Sequence, residues 1–295
     1  MPNVYFDFMR SDDEIRRQLI FGGNILLTSP QPGVVSLCTF ARRMIANAFS
    51  QPDPRLAQFD LAVEDYIGII APLKSAFTNH VTTKELIRDV LSEFGCDLDN
   101  TYFDVPRLRI VTHGGYLTAG VGYAYRPHRD IWYASPSCQI NWWIPIYQLE
   151  AEQALVFYPG YWNRPVRNSS GEFDYDEWCR EGRTLAASQV KVDTRKHPLA
   201  QEEISTESEL RLVCDAGATI CFSSGQLHAT APNPSGATRF SLDFRTINLK
   251  DLHSGNGAHN IDSASIGTTL ADFISARDFS PLPSAFLKRT ATVNR

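Results

Sequence analysis

The spacing of hydrophobic residues changes near residue 100. Before it, apolar residues recur every three or four positions, the period of helices with one buried face. Asp12 or Asp13 caps a first helix through Ile15, Leu19 and Ile20, closed by Gly22-Gly23. Val34, Leu37, Cys38, Ala41, Ile45 and Phe49 share one face of a second. A third lies within 54–77 and is expected to end near Pro72, because an internal proline removes a hydrogen bond. Leu86, Val90, Leu91 and Phe94 mark a fourth, capped by Thr82 or Thr83 and ended by Gly95.

After residue 100 the period shortens to two, the period of strands. Residues 101–112 alternate, and Val105-Pro106 marks where a strand begins. Over 137–147, Cys138, Ile140, Trp142, Ile144 and Ile146 fall on one face, and Gln139, Asn141 and Trp143 on the other. Residues 209–224 read as strand, turn, strand, and 238–249 as a further strand. Tyr158–Ser208 has no period and reads as an insertion or lid. The tail beyond Leu249 is rich in Gly, Asn and Ser, with a helix expected over 268–279. Helices followed by many short strands predict an α+β fold built on an antiparallel sandwich or barrel. One domain is expected over 1–295. Residues 1–100 are its mainly helical support, 101–248 a β-barrel core with the 158–208 insertion, and 249–295 a C-terminal extension.

Composition narrows the function. Hydrophobic residues make up 43% and charged residues 21% of the chain, as in ordinary globular proteins. A net charge of −5 argues against nucleic acid and anionic membranes as partners. No apolar run has the length of a membrane span, and the first residues do not resemble a signal peptide. Cys38, Cys96, Cys138, Cys179, Cys214 and Cys221 form no C-x-x-C pair, so reduced thiols and a cytoplasmic location are expected.

The candidate chemistry starts at His128-Arg129-Asp130. On a strand, residues i and i+2 share a face, so His128 and Asp130 can converge on one ion while Arg129 turns away. Alone this pair says little, since it recurs by chance; a third ligand is needed. His197 sits in a charged loop and reads as solvated, and His253 and His259 sit in the tail. His228 follows a strand and a Gly225 turn and precedes a Pro/Asn/Gly loop, so it is well placed to meet another strand's end. Two histidines and one aspartate would make a facial triad with open positions for non-haem Fe(II) and O2. Over 239–245, Arg239, Ser241, Asp243 and Arg245 share one face, and Phe240, Leu242 and Phe244 the other. Such an arginine and hydroxyl pair can grip a carboxylate.

The ordered set His128, Asp130, His228 and Arg239 resembles the Fe(II)/2-oxoglutarate-dependent oxygenases, within them the phytanoyl-CoA hydroxylase-like group. The resemblance covers about 100–248. It implies a double-stranded β-helix (a jelly-roll or cupin-like barrel) with the helices packed outside. It also implies Fe(II) on His128, Asp130 and His228, and 2-oxoglutarate gripped by Arg239 and Ser241, with O2 as co-reactant. Gln139 and Asn141 are candidates to contact the cosubstrate. Trp132, Tyr133, Trp143 and Arg245 are candidates to contact the substrate, and Arg107 and Arg109 could also point inward. Halogenases of the family replace the carboxylate with a small residue, so Asp130 favours hydroxylation over halogenation. The default substrate is a small metabolite, with an anionic one among the options. Two other classes fit parts of the pattern. A cupin-like metalloenzyme that does not use 2-oxoglutarate needs neither Arg239 nor Ser241, and a jelly-roll binding module needs no metal.

Overall fold

A computed structural model of the chain describes residues 2–8, 12–120, 126–182, 185 and 192–287. Four helices dominate its first hundred residues: α1 (Asp13–Phe21), α2 (Pro32–Ala48), α3 (Val63–Asn79) and α4 (Val81–Glu93). Asp12 caps α1, accepting from the backbone N–H of Glu14 at 2.8 Å. The expected break at Pro72 does not occur; α3 runs on to Asn79. Ile70, Leu73 and Phe77 are buried on both sides of the proline, and their packing outweighs one lost hydrogen bond. The cap of α4 is His80, whose Nδ1 accepts from Thr82 N–H at 3.1 Å, because α3 ends so late that Thr82 and Thr83 already lie inside α4.

The first hundred residues are not only helical. β1 (Val4–Phe6) and β2 (Ile25–Thr28) join the main sheet. Both are too short to show a period, and Ile25–Thr28 is buried on every side. The remaining strands are β3 (Thr101–Phe103), β4 (Arg107–Val111), β5 (Ile140–Pro145), β6 (Leu155–Phe157), β7 (Leu210–Leu212), β8 (Thr219–Ser223), β9 (His228–Thr230), β10 (Arg239–Asn248) and β11 (Ile274–Ser275). A single turn, α5 (Tyr175–Glu177), and α6 (Leu249–Ser254) are further helices, and residues 284–287 are helical as well.

The large sheet has the order β1-β2-β8-β5-β10-β3-β11 and is antiparallel except for β1 with β2. β10 is its axis. β5 takes one edge, and the other is shared by β4, opposite Arg239–Asp243, and β3, opposite Thr246–Asn248. A smaller sheet has the order β7-β6-β9. Residues 209–224 form strand, turn and strand as expected, but the two strands do not pair with each other: β7 pairs with β6, while β8 pairs with β2 and β5, so the turn crosses between sheets. The helix expected over 268–279 is instead a 3₁₀ turn (Thr269–Asp272) followed by β11.

Alternation on β5 and β10 divides the large sheet into two faces. Ile140, Trp142 and Ile144 of β5 and Phe240, Leu242 and Phe244 of β10 pack in the main core with Leu37, Ile45, Ile70, Phe77 and Val90 of the helices. Each such buried side chain contributes about 1.5–3 kcal/mol. Trp142 stacks on Phe244 at 5.4 Å. The opposite face carries Trp143, which packs with Ile220 and Phe222 against Leu155, Phe157 and Leu212 of the smaller sheet. Where that second core gives out, the polar residues of β4, β5 and β10 face a cavity.

Candidate metal centre

The cavity measures about 380 Å³, within the range of small-molecule sites. Both sheets line it, the smaller through Leu155, His228 and Thr230, the larger through Arg109, Asn141, Trp143 and Arg239. His128 and His228 meet as partners of an isolated bridge, each backbone N–H donating to the other's carbonyl at 2.9 and 3.0 Å. This pairing brings together imidazoles that are a hundred residues apart in sequence, with ring centres 4.4 Å apart. Asp130 does not continue the strand. It opens a 3₁₀ turn (Asp130–Tyr133), and that bend carries its carboxylate to the histidines.

The donor atoms of His128, Asp130 and His228 lie within 4.8 Å of one another, and all three residues are buried. Asp130 Oδ1 is 3.5 Å from His128 Nε2 and 4.0 Å from His228 Nε2. His128 Nδ1 donates to Arg126 O at 2.8 Å and His228 Nδ1 to Gln226 O at 3.0 Å. Each bond puts the proton on Nδ1 and leaves the Nε2 lone pair for a ligand role. Burial, then His128, pushes His228 down to about 4, so its ring is neutral at physiological pH. Burial pushes the Asp130 carboxyl up, but Arg245 and the two histidines outweigh it and hold it well below the usual carboxylate range. Two imidazoles and an ionised carboxylate suit a divalent first-row metal such as Fe(II).

The second oxygen of Asp130 is held from behind. Gln139 Nε2 donates to Oδ2 at 3.1 Å, and Arg245 Nε lies 3.4 Å from it. Arg245 is also paired with Asp104 at 3.1 Å, so two carboxylates engage its guanidinium. Gln139 reaches the site through Asp130, and it donates to Asn141 Oδ1 at 2.9 Å, which leaves Asn141 Nδ2 without a partner.

Arg239 is 4% exposed and donates through Nη1 to Gln153 O at 3.0 Å, with its guanidinium over Trp143. Its Nε and the neighbouring Ser241 Oγ have no hydrogen-bond partner. The carboxylate on its own strand, Asp243, is taken by Arg109 through two bonds of 2.9 Å. Among the described residues Arg239 makes no ion pair, which is unusual for a buried cation and suits an incoming carboxylate.

Tyr133 and Trp143 line the cavity. Trp132 does not; it is fully buried and donates to Asp262 Oδ1 at 2.7 Å. Arg129 points away from the metal ligands, as expected, but into the interior rather than solvent. It pairs with Asp262 at 3.0 Å and donates to the carbonyls of Tyr161 and Arg164. The C-terminal extension thus braces the ligand turn. His197 is not solvated: it lines the cavity, 3.3 Å from Asp193 and packed near Trp178 and Tyr133. Lys74 of α3 and Thr269 of the C-terminal extension line it as well. No local pattern marks these residues, because each reaches the cavity from an element outside the strand core. Part of the expected lid, 183–184 and 186–191, lies outside the described residues. Elsewhere in that segment, Phe173, Tyr175 and Trp178 line the cavity. No described helix is long and apolar enough to cross a membrane.

The phytanoyl-CoA dioxygenase (PhyH) family matches residues 30–241. No curated protein matches the sequence. Similar solved structures include EvdO2 from Micromonospora carbonacea var. aurantiaca, complexed with 2-oxoglutarate. It is 14% identical, with 81% of this chain and 91% of that chain covered and a TM-score of 0.46. The epimerase SnoN, in complex with Fe3+, alpha-ketoglutarate and nogalamycin RO, is 14% identical over 80% of this chain and 85% of its own, with a TM-score of 0.42. AviO1 from Streptomyces viridochromogenes Tue57 is 13% identical over 81% and 96%, with a TM-score of 0.40.

Proposed function

The chain belongs to the phytanoyl-CoA dioxygenase family, and from that premise we propose that it is an Fe(II)- and 2-oxoglutarate-dependent dioxygenase that hydroxylates a C–H bond of a small metabolite. The observation that carries this reading is one cavity holding both the His128, Asp130, His228 cluster and a buried Arg239 with no internal carboxylate. A cupin-like enzyme without 2-oxoglutarate, or a binding module, would have no use for that unpaired arginine.

When bound, Fe(II) supplies O2 activation; one oxygen atom enters the substrate, and the other enters succinate as 2-oxoglutarate loses CO2. The protein's part is placement. His128, His228 and Asp130 would hold the metal. Gln139 and Arg245 fix Asp130 Oδ2 and so orient the ligating oxygen. Arg239, with Ser241 beside it, holds the distal carboxylate of the cosubstrate, and Asn141 Nδ2 offers it a further donor. Trp143 packs under the Arg239 guanidinium and keeps water from it. With Asp130 present, no ligand position is vacated for chloride, which favours hydroxylation over halogenation.

The two facing sheets serve as the double-stranded β-helix of one oxygenase domain, and residues 158–208 act as a lid. Anaerobic Fe(II) and 2-oxoglutarate should give the weak visible charge-transfer band, and aeration with a substrate should release succinate. Absence of both results would refute the assignment. Cleavage within 158–208 in limited proteolysis should slow when metal, cosubstrate and substrate are present; equal rates would count against a lid.

A further inference from the structure

Arg129 separates His128 from Asp130 in the sequence, and its side chain is fully buried. A guanidinium carries five N–H donors, and each one buried without an acceptor costs stability. Here the acceptors come from three other parts of the chain. Nε donates to Asp262 Oδ2 at 3.0 Å, in the tail. Nη1 donates to Gly225 O, in the turn before β9. Nη2 donates to Tyr161 O at 2.7 Å and to Arg164 O at 3.0 Å, at the start of the 158–208 insertion.

The contact with Gly225 reaches the third ligand. β9 opens at His228, and the carbonyl that accepts from His228 Nδ1 belongs to Gln226, the residue after Gly225. One planar fork therefore spans from the turn that carries His128 and Asp130 to the turn that delivers His228. A backbone bond follows the same seam, Ile131 N–H to Ser224 O at 3.3 Å. Asp262 holds the fork from the far side and grips the ligand turn a second time, accepting from Trp132 Nε1 at 2.7 Å. It also accepts from Val166 N–H at 3.0 Å, and the neighbouring Ser263 Oγ donates to Ile131 O at 2.6 Å. A buried ion pair that served the fold alone could join any two elements. This one joins the two stretches of backbone that supply all three metal ligands.

We infer that Arg129, anchored by Asp262, is a positioning residue for the metal centre: it fixes the His128–Asp130 turn relative to His228. The inference rests on the metal site of the proposed function. Lysine at 129 would keep the charge opposite Asp262, but its three donors cannot serve four acceptors on separate segments. The test is a Co(II) titration of the metal-free full chain, followed by the visible d–d absorption, which reports ligand geometry, with thermal unfolding alongside. Arg129→Lys should weaken Co(II) roughly 10–100-fold and alter the d–d spectrum. Ile45→Ala opens a cavity in the helical core, so it destabilises the fold and should leave Co(II) affinity and spectrum as in wild type. Unchanged affinity and spectrum in a folded Arg129→Lys, or an equal loss in Ile45→Ala, would overturn the inference. If Arg129→Lys does not fold, Asp262→Asn takes its place, with the same direction expected, because it keeps the shape of the anchor and removes its charge. If wild type binds Co(II) but gives neither the charge-transfer band nor succinate with Fe(II) and 2-oxoglutarate, the oxygenase reading fails and the Co(II) affinities still decide the role of Arg129. Wild type that binds no Co(II) would overturn both.

Discussion

Replacing Arg239 by methionine separates what this residue does for folding from what it does for the cosubstrate. Methionine keeps an unbranched stem of similar length and removes the charge and the planar fork. Burial, then the like charge of Arg109, pushes Arg239 down to about 10, with Asp243 opposing. A base whose folded pKa lies below its unfolded value costs stability while it is charged. The cost is fully present below about pH 10 and is relieved as pH rises toward the unfolded value. The depression corresponds to about 3 kcal/mol. A carboxylate bound on the fork recovers a similar amount, which converts to roughly 100-fold in affinity. Arg239→Met should therefore weaken 2-oxoglutarate by about two orders of magnitude and leave Fe(II) binding unaltered. The ligand-free variant should be no less stable than wild type, because the lost bond to Gln153 O offsets only about 1 kcal/mol. The assay is an anaerobic 2-oxoglutarate titration of the Fe(II)-loaded proteins, followed by the visible band, with thermal unfolding of both apoproteins alongside. Unchanged cosubstrate affinity, or an apoprotein destabilised by several kcal/mol, would show that Arg239 is a structural residue and that the reasoning is wrong.

Gln139→Leu removes the donor that fixes Asp130 Oδ2, and should weaken Fe(II) by roughly 10–100-fold while 2-oxoglutarate keeps its dependence on Arg239, measured by metal titration. Asp262→Ala leaves Arg129 buried without its carboxylate, and should cost about 3–5 kcal/mol of stability in denaturant unfolding. A loss under 1 kcal/mol there would mean that the carbonyls of Tyr161, Arg164 and Gly225 suffice to hold Arg129.

Much of the site can be read locally, and the limit of that reading has a physical cause. Alternation over 239–245 and 137–147 by itself determines which side chains meet the helices and which meet the cavity, because strand geometry puts residues i and i+2 on one face whatever the strand pairs with. The ordered set His128, Asp130, His228 and Arg239 likewise resembles the family's pattern before any fold is seen. Only the tertiary structure decides partners. It pairs His128 with His228 across a bridge, and it turns Asp130 inward on a 3₁₀ bend where a strand is expected. It recruits β1 and β2 into the main sheet although neither is long enough to carry a period. It also brings Asp262, His197 and Lys74 to the site from the tail, the inserted segment and a helix. Periodicity records which face of an element is apolar. Contacts between distant elements follow from how those faces pack together, and from where the buried charges left over can find partners.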